Sequence, residues 1–255
     1  RKIRALAALY LAQCWRNQIF VLPALVGLFL AVLPHLITAF NISAFDRVAR
    51  DVCMTLMNVL MIGLALVLGG TAVPTEIDKR SLYPILSRPL SRFQFLAGKM
   101  VGIAVALGAS LLFCGLCTFL GVTTLTGHAQ WPIFMGTACY WLEGCVLAAS
   151  CLLISTVATA PLAISGGLLV YFLGGLSQAY VQVFLANTNR FYFQYWLVVA
   201  FKAIVPHFDV FHVKDAIVHG EEIDGQYLAS LTLYGVMWIL LQLSAADWVF
   251  ARRDV

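Results

Sequence analysis

Charge is what this sequence has least of. Only 11% of its 255 residues are Asp, Glu, Lys or Arg, whereas 62% are hydrophobic and the mean hydropathy is +0.90. A soluble domain carries roughly a quarter charged residues, so a soluble enzyme, a nucleic-acid binder and a disordered chain are all excluded. The net charge of +4 does not restore a nucleic-acid partner, because Lys and Arg in so apolar a chain first report membrane orientation. A disulfide framework is lacking too: the seven cysteines lie in or beside apolar stretches and read as small buried hydrophobes. No cleavable leader is expected, since Arg1–Arg4 opens onto a mixed helix rather than a short apolar core with a cleavage site. What remains is a polytopic, all-α membrane protein, read as a single domain over 1–255.

Its spans follow from the uncharged runs. A bilayer core about 30 Å thick needs roughly 20 apolar helical residues. Ile19–Phe40 and Val52–Val73 contain no acid or base, and none occurs between Lys99 and Glu143, where Gly127–Pro132 marks a turn. Another uncharged run, Gly144–Asn189, breaks at Thr159-Ala160-Pro161, and a last one covers Gln226–Ala246. These runs predict six transmembrane helices, near 19–40, 52–73, 98–126, 132–158, 161–186 and 227–249. Backbone satisfaction in lipid makes each of them a helix.

Two further elements flank the spans. Over residues 1–18, Ile3, Leu6, Ala7, Tyr10, Leu11 and Cys14 recur at helical spacing, which predicts an amphipathic helix along the membrane interface. The extracytoplasmic segment 187–226 contains Arg190–Val205, rich in Phe, Tyr and Trp. That stretch is short for a seventh span and holds Gln194 and Lys202, so it fits an interfacial or re-entrant helix better.

An even span count puts both termini on one side, and the basic residues choose it. Arg1, Lys2, Arg4, Arg16, Lys79, Arg80, Arg88, Arg92, Lys99, Arg252 and Arg253 then face the cytoplasm. Only Arg47, Arg50, Arg190, Lys202 and Lys214 face outward, among most of the acids. The expected topology is N-in, C-in, in a cell membrane and by expectation a bacterial inner membrane.

The inner loop 74–92 concentrates the charge. Glu76, Asp78, Lys79, Arg80, Arg88 and Arg92 are interleaved with Ile77, Leu82, Ile85 and Leu86, while Pro84 and Pro89 limit helix length. A short, partly amphipathic surface helix suits docking on a cytoplasmic partner; an ordinary positive-inside loop is the plainer alternative. Here the chain resembles a known family. Glu76, Leu82, Ile85-Leu86-Ser87-Arg88-Pro89-Leu90-Ser91-Arg92, Phe95 and Gly98-Lys99 resemble the signature after the second span of ABC-2 type transporter permeases. The ending Phe250-Ala251-Arg252-Arg253-Asp254 resembles that family's ending, and the six-span layout agrees. Arg80-Ser81 departs from the Gly-Thr pair common there.

The resemblance implies that 74–92 is a coupling helix seated in a separate ABC ATPase subunit. Glu76, Asp78, Arg80, Leu82, Ile85, Arg88 and Arg92 would make the contact, and the turn at Thr159–Pro161 would be a second, smaller one. It also implies two ATPase copies, a second permease (identical or homologous) and export of a substrate. ATP and Mg would sit on the partner, with no cofactor in this chain. A P-loop is absent here: the nearest approach, Gly98-Lys99-Met100, has Phe93 and Met100 where Gly and Ser or Thr are required.

Several residues remain candidates for function. Gly98, Gly102 and Ala106, and in the fifth span Gly167, Tyr171 and Gly174, offer close helix packing, either within one subunit or between permease halves. Glu143 is the one acid well inside a span, placed to line a substrate path, relay a proton or make a structural hydrogen bond. His212, Asp215 and His219 share a helical face that reads as hydrated surface more readily than as a metal site. Two other classes stay open: a non-transporting membrane anchor for a cytoplasmic enzyme, and a haem- or quinone-binding redox subunit. His35 and His128 make a poor axial pair for the latter.

Overall fold

A computed structural model describes residues 2–38, 45–78, 92–175, 196, 205–219 and 224–251. Among these the chain is helical, without strands. α1 (Lys2–Arg16) leads through a turn into α2 (Val21–Thr38). α3 (Phe45–Thr71) is followed almost directly by the short α4 (Pro74–Asp78). α5 (Arg92–Thr126), α6 (Pro132–Ser155) and α7 (Ala160–Gly175) come next. A 3-10 turn (Asp209–Phe211), α8 (Lys214–His219) and α9 (Gly225–Ala251) complete the order.

Among the described residues, five helical stretches are long and apolar enough to cross a membrane: α2, α3 with α4, α5, α6 and α9. α7 is apolar but shorter, at 16 residues. The rest of the fifth predicted span, 176–186, lies outside the described residues, as does all of Arg190–Val205 except Trp196 and Val205. The boundary between the third and fourth spans falls where turn chemistry puts it. Gly127 has φ +71°, a left-handed conformation that glycine adopts without strain, and Pro132 opens α6, where its missing N–H costs nothing.

Packing partners give the direction of each helix. The Cys114 thiol meets the Pro23 carbonyl, and Gly121 lies against Ala31, so α2 and α5 are parallel. Thr118 meets Met57 and Lys99 meets Glu76, so α3 is antiparallel to α5. Gly136, Gly144 and Gly69 touch Met54, Met61 and Ala148 in turn, which makes α6 parallel to α3. Gly70 against Ile164 and Asn58 against Tyr171 make α7 antiparallel to α3. Gly235 beside Val146 and Gln242 bonded to Ser150 set α9 parallel to α6. α7 therefore returns the chain to the end of the bundle where α3 begins. There Gly174 abuts Pro206 and Phe208, and Lys214 pairs with Asp51 at 2.8 Å.

α6 is the centre of the bundle, packed against α3, α5, α7 and α9. Tyr140, Glu143, Cys145, Leu147 and Cys151 are all buried along its length. α2 and α9 are peripheral, presenting Leu25, Phe29 and Val32, and Leu233, Met237 and Leu240, outward.

Lipid is as apolar as Leu, so helices gain little by hiding apolar surface from it and associate through close packing. α3 and α6 meet where a Cβ on Gly69 would lie 2.6 Å from the Ala148 carbonyl oxygen. Backbone cannot yield there as a flexible side-chain tip would. Gly69→Ala is expected to destabilise the fold by about 1–3 kcal/mol through overpacking. Gly63→Ala, where nothing lies within 4 Å, is the control expected to leave it unchanged. Thermal unfolding of the two variants in the same detergent checks the contrast.

Candidate functional site

The end of the bundle where α3 stops and α5 begins is built around one ion pair. α3 ends at Thr71, and the chain turns through Ala72 and Val73 before Pro74 starts α4. The Thr75 hydroxyl donates to the Thr71 carbonyl, and the Glu76 N–H donates to the Val73 carbonyl at 3.0 Å. Glu76 is thereby turned back toward the bundle, where the Lys99 ammonium donates to its carboxylate at 2.7 Å. Both residues are buried.

α1 closes over this pair. The Lys99 ammonium lies 4.8 Å from the centre of the Tyr10 ring and 5.8 Å from that of Phe95, a cation–π arrangement strengthened by the absence of water. The Tyr10 hydroxyl donates to the Leu68 carbonyl at 3.1 Å, satisfying one of the acceptors that the last turn of α3 leaves open. Burial pushes the Tyr10 phenol well above its ordinary value, with Cys14 and Glu76 adding to the effect. The Cys14 thiol is also pushed up by burial, although its Tyr10 hydrogen bond and the Lys99 charge pull the other way. Buried Ala7, Tyr10 and Cys14 are the stripe expected from helical spacing.

Of the residues expected to touch an ATPase, Glu76 is therefore an internal anchor. Asp78 closes α4 and Arg92 opens α5. Arg80, Leu82, Ile85 and Arg88 lie outside the described residues. Sequence reasoning missed Lys99 as Glu76's partner and Tyr10 as the ring beneath it. The one available signal was a lone base at the head of an apolar span.

A second polar group lies deep in the bundle. Glu143 is fully buried, roughly 17 Å along α6 from Pro132 at the helical rise. Asn58 of α3 donates to its Oε2 at 3.4 Å, and the Tyr171 hydroxyl of α7 donates to Asn58 Oδ1 at 3.4 Å. Tyr171 packs on Phe208, with ring centres 5.2 Å apart. Asn58 was the missed partner here; a lone amide within the second span was its signal.

The small residues of α7 are engaged within this chain. Gly167 abuts Cys151 and Leu66, and Gly174 abuts Phe208 and the Pro206 carbonyl. Gly102 on α5 takes the Tyr10 ring. His212 Nδ1 lies 3.3 Å from the Phe208 carbonyl. Among the described residues no three His, Cys, Asp or Glu side chains converge on a common point. A groove of about 470 Å³ between α5 and α6, lined by Ala104, Gly108, Leu112, Phe134 and Trp141, is apolar and separate from Glu143.

Long apolar helices of alternating direction, closed at one end by a buried ion pair, define a polytopic membrane protein. A family model described as ABC-2 family transporter protein matches residues 15–255. The chain belongs to that family, whose members form the membrane domain, or permease, of an ABC transporter. No curated protein matches it.

The Glu76–Lys99 pair gives a direct test. Removing one partner takes away the opposite charge of a buried pair, at a cost of about 3–5 kcal/mol. Glu76→Gln and Lys99→Met are each expected to lower thermal stability strongly, and the double variant to recover much of the loss. A double-mutant cycle on the purified chain measures the coupling; additive losses would show that the pair does not act as a unit.

Proposed function

We propose that this chain is the permease subunit of an ATP-driven exporter, pairing with a second permease, identical or homologous, and with two cytoplasmic ABC ATPase subunits. Family membership favours transport over the anchor and redox readings. The observation that carries the coupling assignment is the clamp at the inner end. The Glu76–Lys99 bond ties the end of α3–α4 to the start of α5, the two elements that flank segment 79–91, through one buried contact. A push on that segment would be delivered to two long helices together.

In this reading the chain crosses the membrane six times, with α7 as the fifth crossing and both termini in the cytoplasm. The antiparallel course of α7 against α3 supports the count, and the distribution of basic residues supports the orientation. ATP and Mg reside on the partner. Nucleotide closes the ATPases, the coupling segments around Arg88 follow, and the paired permeases shift between two states of access. Glu143 lies on or beside the path, coupled through Asn58 and Tyr171 to the outer end.

Arg88→Glu is the discriminating variant, because it reverses a charge on the expected docking segment while leaving Glu76 and Lys99 in the sequence. Reconstituted with its ATPase, the variant is expected to lose most of the transport-linked stimulation of ATP hydrolysis while the chain folds normally. Wild-type stimulation in that variant and in Ile85→Asp would remove segment 74–92 from the docking surface.

A further inference from the structure

Among the described residues no base pairs with Glu143. Glu143 is completely enclosed and its Oε1 has no hydrogen-bond partner. One turn earlier on α6, the Tyr140 hydroxyl is likewise buried, facing Asn58 and Glu143 without a well-made hydrogen bond. The two hydrogen bonds that do reach into the cluster are 3.4 Å long, beyond the roughly 2.7–3.2 Å of well-made bonds. The group is thus drawn together by its sequence but left open by a small margin.

Among the described residues the surroundings supply no counter-charge. There Asp209, from the turn beyond α7, and Asp51, nearer the start of α3, are the charged groups facing the cluster, and both are acidic. Lys214 is engaged by Asp51, Arg50 by Asp46, and Lys99 by Glu76 at the opposite end. Cys139, Tyr140 and Tyr171 are the other titratable groups alongside. A lone carboxylate in so dry a place requires a counter-charge.

We propose that Glu143, with the Tyr140 and Tyr171 hydroxyls and Asn58 Oδ1, forms a binding site for one small monovalent cation, a proton or an alkali ion. Every donor is an oxygen, the ligand type that hard cations take. Asn58 Oδ1 keeps a second lone pair after accepting from Tyr171, and a single carboxylate balances a single positive charge. Phe208 lies on Tyr171 and Pro206 closes against Gly174, so the cluster is covered at the end where α7 stops. The site stands whether or not the chain is an exporter, since it rests on the geometry of one subunit.

The test uses the full chain in lipid nanodiscs. Thermal unfolding is followed in choline chloride and in sodium or potassium chloride at equal ionic strength, and infrared spectra are recorded for the wild type and Glu143→Gln. An alkali ion is expected to raise Tm with concentration, as a ligand specific to the folded state does; that rise disappears in Glu143→Gln and weakens in Tyr140→Phe. A proton is expected to give a protonated-carboxyl C=O band that is lost in Glu143→Gln. If the wild type shows neither an alkali-specific rise nor such a band, the site does not exist, whatever the variants do. A rise or band that persists unchanged in Glu143→Gln overturns the proposal equally.

Discussion

The bond between Glu76 and Lys99 is the contact on which its end of the bundle depends. Burying either charge is costly, and the pairing offsets that cost for both. The pairing has geometric consequences. Glu76 can reach Lys99 only if the chain turns at Ala72–Val73 and starts a new helix at Pro74. Lys99 can stay dry only if α5 continues inward beyond the apolar run and α1 lays Tyr10 beneath the ammonium. One electrostatic requirement thus places three elements that are far apart in sequence.

Along the rest of the bundle the constraint is steric. With lipid offering apolar side chains no less than protein does, helices stay together through backbone approach and shape. Gly69 against Ala148 and Gly121 against Ala31 bring pairs of helices to within carbonyl contact. Polar pairs such as Gln242 with Ser150, at 2.7 Å, add direction to that packing. The two kinds of contact divide the molecule: charges organise its ends, and small residues and amides its middle.

This division explains what was legible in the sequence. Scarcity of charge marked a membrane protein, and local chemistry marked boundaries: Gly127 and Pro132 alone locate the turn between α5 and α6. The amphipathic stripe of α1 was readable for the same reason, as its period is local. Pairings were not readable. Glu76 and Lys99 are separated by a charged loop that offers many rival partners, and Asn58 and Glu143 belong to spans that touch only once the bundle has formed. α5 also begins earlier than its apolar run, because α1 gives its first turns something to pack on. For Glu143 itself, its isolation within an apolar span was visible, while its company was a property of the fold.

The two polar groups are connected through α3. Asn58 lies within it, about 20 Å from Thr71 at the helical rise, and Glu76 follows in α4 beyond the turn at Ala72–Val73. α6 runs parallel to α3 and touches it along its length, bringing Glu143 to Asn58. A helix buried on so many sides cannot bend continuously; it shifts as a body between packed arrangements. Displacement of α4 would therefore appear at Asn58 as a change in its spacing from Glu143 and Tyr171. Hydrogen bonds of 3.4 Å leave room for that spacing to close. Tyr171 would carry the change to Phe208 and the outer turn. The physical warrant for coupling is this contiguity of stiff parts with a loose polar joint between them, and its reach runs from the inner ion pair to the opposite end of the bundle.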